Sequence, residues 1–210
     1  MKWKEYKEAV KVTLADLGSK EENNKHMIAG MAGELGEIIQ AVRKKDIVNL
    51  GEELSDVSWF GTSWGNINNL LIHSGDGISN IDNLDSFKPI TFWDKISNIG
   101  YRLLVNSNLK YPLLYNHEFE NLQIIISEIN DLEKREFAYK KLQNDVDRKR
   151  LLYQLLECLS WCYFFAGIDA EDSLQKNIDK LMVRYHKKKF EAEQANNRDL
   201  SAERLVLEGK

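Results

Sequence analysis

With 210 residues and a net charge of −4, the chain is long enough for one hydrophobic core and too acidic for a nucleic-acid-coating protein. Hydrophobic residues make up 43% and charged residues 30%, a globular rather than a disordered composition. No apolar run approaches the ~18 residues of a membrane span, and the opening MKWKEYKEAVK lacks the apolar core of a signal peptide. These features predict a cytoplasmic protein with no membrane partner.

Taken in order, the pattern is helical almost throughout. Trp3, Tyr6, Val10, Leu14 and Leu17 form a stripe that ends at Gly18, and residues 18–25 read as a polar connector. A second helix is expected from about His26 to Lys44, and a third from about Asp46 to Asn68, with Asp46 as its N-cap. Residues 72–91 carry Gly75, Gly77 and Pro89 among Asn, Asp and Ser and read as a long loop. Phe92, Ile96, Ile99 and Leu103 give a further stripe, interrupted at Pro112. Leu122, Ile125, Ile126, Ile129 and Leu132 give the next, and 151–166 is apolar enough to be central. Asp169 caps a helix with Leu174, Ile178, Leu181 and Tyr185 on its core face, and a polar arm at about 190–210 carries one late apolar cluster, Leu205 to Leu207. The expectation is a single all-α domain, a helical bundle, over 1–210.

Two acidic pairs stand out. Glu34 and Glu37 lie in MAGELGEII, and Glu53 and Asp56 in LGEELSDVS. A shift of 19 residues lays Met31, Leu35 and Ile38 on Leu50, Leu54 and Val57, and lays Glu34 on Glu53 and Glu37 on Asp56. Residues three apart share a helix face, so each pair flanks its apolar stripe in the same way. If the helices pack antiparallel by those stripes, four carboxylates meet in one groove. Close carboxylates repel and cannot all stay ionised alone. A hard divalent cation with oxygen ligands, above all Mg²⁺, relieves that repulsion and commonly also binds substrate phosphates. A single ExxE is usually a solvated face; the second pair at the same offset is what favours metal. Glu52 points about 100° away from Glu53 and reads as a surface residue.

The spacing ExxE, fifteen residues, ExxD resembles the signature of the all-α nucleotide pyrophosphatases, which include MazG-like proteins, dimeric dUTPases and dCTPases. AGMAGELGEIIQAVRKKD with NLGEELSDVSWF resembles that family's second and third helices, and GIDAEDSLQKNIDKLMVRY its next one. FEAEQANNRDLSAERLVLEG is similar to C-terminal extensions of MazG-like proteins. The segments cover about half the chain. The resemblance implies a MazG-like or dimeric dUTPase type of bundle and a homodimer. It also implies Mg²⁺-dependent hydrolysis of a nucleoside triphosphate at the α-phosphorus, to a monophosphate and pyrophosphate, with Mn²⁺ a possible substitute. Glu34, Glu37, Glu53 and Asp56 would hold the metal, with Glu37 activating water. Asn177 and Lys180 would hold the distal phosphates across the groove, with Arg184 and Tyr185 following in register.

The chain departs from the simple pattern by a long helical segment at about 70–165. Within it ECLSWCYFF echoes SDVSWFGTS; with Trp161 on Trp59, Leu155 falls where Glu53 stands and Cys158 where Asp56 stands. This reads either as a degenerate second repeat or as chance likeness between two buried helices. Trp59 and Trp64 could stack on a base or fill the core. Cys158 and Cys162 suit a core rather than a zinc site. Gly30, Gly33 and Gly36 call for either close helix approach or room for a ligand. Lys187, Lys188 and Lys189 read as a solvated turn. Two other functions stay open: a helical module that binds nucleotide without hydrolysing it, and a structural bundle whose acids are merely solvated.

Overall fold

The computed structural model describes residues 3–70, 117–185 and 190–209. Among them it forms eight helices and no strand, an all-α fold: α1 Trp3–Thr13, α2 Lys20–Lys44, α3 Ile47–Ile67, α4 Glu118–Phe137, α5 Asp145–Ala166, α6 Ala170–Arg184, α7 Ala192–Asn196 and α8 Leu200–Leu207. The loop expected at 72–91, the stripe Phe92, Ile96, Ile99 and Leu103, Pro112, and Lys187 to Lys189 lie outside the described residues. No single described helix is long and apolar enough to cross a membrane.

Local chemistry sets the boundaries. The second helix begins six residues earlier than its apolar stripe, because Ser19 caps it. The Ser19 hydroxyl accepts from the Glu22 amide at 3.1 Å and donates to the Glu22 carboxylate at 3.0 Å, a serine–glutamate capping pair that overrides the polar composition of 20–25. α1 stops at Thr13, short of Leu14 and Leu17. The Leu17 amide donates to the Asn23 side chain and the Gly18 amide to Asp16, so side chains satisfy the backbone outside the helix. Asp46, Asn144 and Asp169 cap α3, α5 and α6 as N-terminal acceptors.

α2 and α3 are joined by Lys45 and Asp46 and make the most extensive helix pair. Asn24 bonds Asn68 at one end and the Glu34 carboxylate meets that of Glu53 towards the other, so the two run antiparallel, as the paired stripes require. α4 and α5 form a second pair that packs on the first mainly through α5 against α3. Gly61 and Gly65 permit that approach: an added Cβ would stand 2.5 Å from Leu155 Cδ2 or 2.7 Å from Leu152 Cδ2. Of the α2 glycines, Gly30 lies under the Phe60 ring, whereas Gly33 and Gly36 face open space.

Leu155, in the position the echo aligned with Glu53, is fully buried, and Cys158 donates to the Glu118 carbonyl at 3.2 Å. The second helix pair therefore carries core where the first carries acids. Both cysteines are free and buried.

Two buried polar networks fix the helices in register. At the C-terminal end of α3, Glu133 accepts from Arg148 Nε at 2.7 Å, Trp64 Nε1 at 3.2 Å and Asn24 Nδ2 at 3.1 Å. Trp64 is thus a core residue with its indole N–H satisfied. Nearer the acids, the Ser55 hydroxyl meets Tyr163 at 2.9 Å and Ser173 at 2.8 Å, tying α3 to α5 and α6 one residue before Asp56. Each donor and acceptor has a partner, which is the condition for such a network to stabilise rather than cost.

Candidate metal centre

The antiparallel packing of α2 on α3 brings the two acidic pairs to one place. Glu34, Glu37 and Glu53 each offer a carboxylate oxygen, and these oxygens lie within 4.8 Å of one another. The three grade from buried to open: Glu53 is buried, Glu34 half-buried and Glu37 exposed. Asn49, one turn before Glu53, donates to it at 2.9 Å and fixes its orientation.

The burden of charge is visible in the proton equilibria. Burial, then the contact with Glu34 and the charge of Asp56, pushes the Glu53 carboxyl up to about 9. Burial and the Asp56 charge push Glu34 up to about 7. The contact between them raises Glu53 and lowers Glu34, so without a cation Glu53 is the one of the pair that holds a proton more readily. A divalent cation would replace that proton. Oxygens on opposite sides of Ca²⁺ at ~2.4 Å stand ~4.8 Å apart, and those of Mg²⁺ at ~2.1 Å stand ~4.2 Å apart. The three oxygens are therefore close enough together to share one such ion.

Asp56 stands beside this triad but is gripped from the other side. Lys180 Nζ reaches its two oxygens at 2.9 and 2.7 Å, and Asn177 Nδ2 donates to Oδ1 at 2.5 Å. Both are fully buried. This corrects the sequence-based placement of Asn177 and Lys180 across an open groove on distal phosphates: they lie behind Asp56, not facing the groove. The second correction is Glu52, which accepts from the same Lys180 ammonium at 3.1 Å rather than pointing into solvent. The sequence held the signal, because Glu52 and Asp56 are four apart and so share a face. Burial opposes the charge on Lys180, but Asp56 and Glu52 outweigh it and raise its pKa. Asn177 Oδ1 is left buried with no hydrogen-bond partner among the described residues.

The acids open into a cavity of about 450 Å³, within the usual range for small-ligand sites. Trp59, Phe60, His26 and Tyr185 line one part of it. Trp59 is buried and its Nε1 donates to Thr13 at 3.0 Å, so it is chiefly a core residue with one edge on the cavity. Arg184 lines the cavity too and is bonded to Glu203 of α8. The C-terminal arm thus folds over the site, carrying Phe190, Arg198, Leu200, Glu203 and Leu207 to its wall. Sequence reading marked the arm as similar to family extensions but gave no role to Arg198 or Glu203. Their pairing depends on the turn at Asp199, whose side chain caps α8.

Comparison with protein-family models, curated proteins and solved structures yields no match.

Proposed function

We propose that the protein is a Mg²⁺-dependent nucleoside triphosphate pyrophosphohydrolase, releasing a nucleoside monophosphate and pyrophosphate. The observation that carries this reading is the convergence of Glu34, Glu37 and Glu53 at the mouth of a cavity that also presents arginine and aromatic side chains. The spacing of the acidic motif and its resemblance to the all-α nucleotide pyrophosphatases supply the reaction type.

In this reading Glu34, Glu37 and Glu53 hold the cation, with Asp56 beside them. A bound divalent cation offsets phosphate charge and lowers the pKa of a bound water. Glu37, the most exposed of the acids, is the base that takes the proton as the water oxygen bonds to the α-phosphorus. The α–β bridging oxygen departs with the pyrophosphate, and no covalent intermediate with the protein forms. Lys180 acts through Asp56, holding it in place as a buried counter-charge. Arg184 contacts phosphate oxygens, and Trp59 and Phe60 offer apolar surface to the base.

The test is a panel of ribo- and deoxyribonucleoside triphosphates incubated with Mg²⁺ or Mn²⁺, with chromatography of the products. Monophosphate plus pyrophosphate, abolished by EDTA and by Glu37→Gln, is expected. Diphosphate plus orthophosphate would overturn the cleavage point, and nucleotide binding without turnover would make the protein a binding module instead.

A further inference from the structure

Arg184 and Arg198 reach one carboxylate from two elements. Arg184 Nε and Nη2 donate to Glu203 Oε1 and Oε2 at 2.9 and 2.7 Å, a two-pronged pair. Arg198 Nη2 reaches Glu203 Oε2 at 2.6 Å, with its Nε at 3.2 Å from the same oxygen. Glu203 is buried; Arg184 is nearly so and Arg198 half-open. Each guanidinium commits its Nε–Nη2 edge to the glutamate. The Nη1 groups, four N–H donors in all, have no hydrogen-bond partner among the described residues. Both arginines line the same cavity as Glu34, Glu37 and Glu53.

The charge count there is informative. One carboxylate cannot neutralise two guanidiniums, so the Arg184–Arg198–Glu203 group keeps a net positive charge in the same cavity as acids that could hold a cation. A ligand matching both groups has anionic oxygens at two places. We infer that Arg198 and Arg184, oriented by Glu203, form a second anion-binding edge that takes a terminal phosphoryl group of a polyphosphate ligand. This rests on the nucleotide reading above and extends it to the arm: Glu203 is a positioning residue, and Arg198 contacts the ligand. Arg204 bonds the α3 cap Asp46 at 3.5 Å and helps hold the arm at this place.

Glu203 could instead compete with the ligand for the arginines, as an internal stand-in for phosphate. The two roles differ in sign. Glu203→Gln removes a negative charge from the cavity, so competition predicts tighter anion binding. An organising role predicts weaker binding, because two guanidiniums lose the acceptor that sets their orientation.

The experiment is calorimetric titration of the full chain with inorganic pyrophosphate at saturating Mg²⁺, beside a titration with Mg²⁺ alone. Arg198→Met, at a half-exposed position that folding tolerates, is expected to weaken pyrophosphate at least ~10-fold, about the worth of one charge-assisted contact. Its Mg²⁺ affinity should change less than ~2-fold, since it touches none of the metal-holding acids. Glu203→Gln is expected to weaken pyrophosphate several-fold, and Glu203→Asp to recover part of it. Wild-type affinity in Arg198→Met, or tightened binding in Glu203→Gln, overturns the inference while leaving the nucleotide reading intact. Failure of the wild type to bind pyrophosphate overturns both.

Discussion

Lys180→Met is the sharpest perturbation of the site. The ammonium is fully buried and lies within 3.1 Å of three carboxylate oxygens, two on Asp56 and one on Glu52. Methionine fills most of the lysine stem, so the loss is chiefly of charge. Removing one partner from a buried ion pair costs about 3–5 kcal/mol. Asp56 and Glu52 keep some access to water, and Asn177 still donates to Asp56, so the lower end, about 3 kcal/mol, applies. For a chain of this length each kcal/mol moves the midpoint by about 2–4 °C, giving a fall of about 6–12 °C in EDTA. Mg²⁺ should stabilise the variant more than the wild type, because the freed carboxylates find in it a replacement charge; at 100 times its Kd a ligand adds about 2.7 kcal/mol. Thermal melts with EDTA and with Mg²⁺ give all four midpoints. Pairing Lys180→Met with Asp56→Asn should recover part of the loss, because the uncompensated charge is gone. A Lys180→Met midpoint within ~2 °C of wild type in EDTA would refute the counter-charge role.

Three further outcomes follow from other parts of the molecule. Burial and the Asp56 charge raise the Glu34 carboxyl to about 7, and burial, the contact with Glu34 and the Asp56 charge raise that of Glu53 to about 9, so the fold favours their protonated forms. Their contribution is complete below the unfolded value near 4.5 and is lost as pH rises through 7 towards 9. Melts in EDTA should drop across that window and flatten with Mg²⁺; a flat EDTA profile would contradict the coupled pair. Glu133→Ala removes the buried acceptor of Arg148 Nε, Trp64 Nε1 and Asn24 Nδ2; Glu136 and Asp145 still face Arg148, so the cost in chemical denaturation should be about 3 kcal/mol, the low end for a broken buried pair, with Mg²⁺ affinity unchanged, since the network lies about three turns along α3 from Glu53. Gly36→Ala, facing open space in α2, should stabilise by up to about 1 kcal/mol. Gly61→Ala, against buried Leu155, should instead destabilise by about 1–3 kcal/mol, and equal effects would mean that α3 and α5 are not in close contact.

Much was written in the sequence by itself. Helix periodicity determined the all-α class, the stripes of α2 and α3 and the core faces of α4, α5 and α6, because burial repeats with the helical turn. The matched stripes also determined that Glu34, Glu37 and Glu53 meet, since antiparallel pairing by those stripes leaves their flanks no other place to go. Where local side-chain chemistry competed with periodicity, at Ser19 and at Asp16 to Asn23, the boundaries moved by several residues. Tertiary structure alone decided what each polar residue faces. Lys180 and Asn177 share a flank of α6, and only the packing of α6 on α3 sets that flank against Asp56 and Glu52. Arg184, Arg198 and Glu203 are separated by a turn and two caps, and only the path of the arm makes them one cluster. Periodicity records which face of a helix is buried; it does not record which neighbour that face meets, because that depends on the packing of several helices at once.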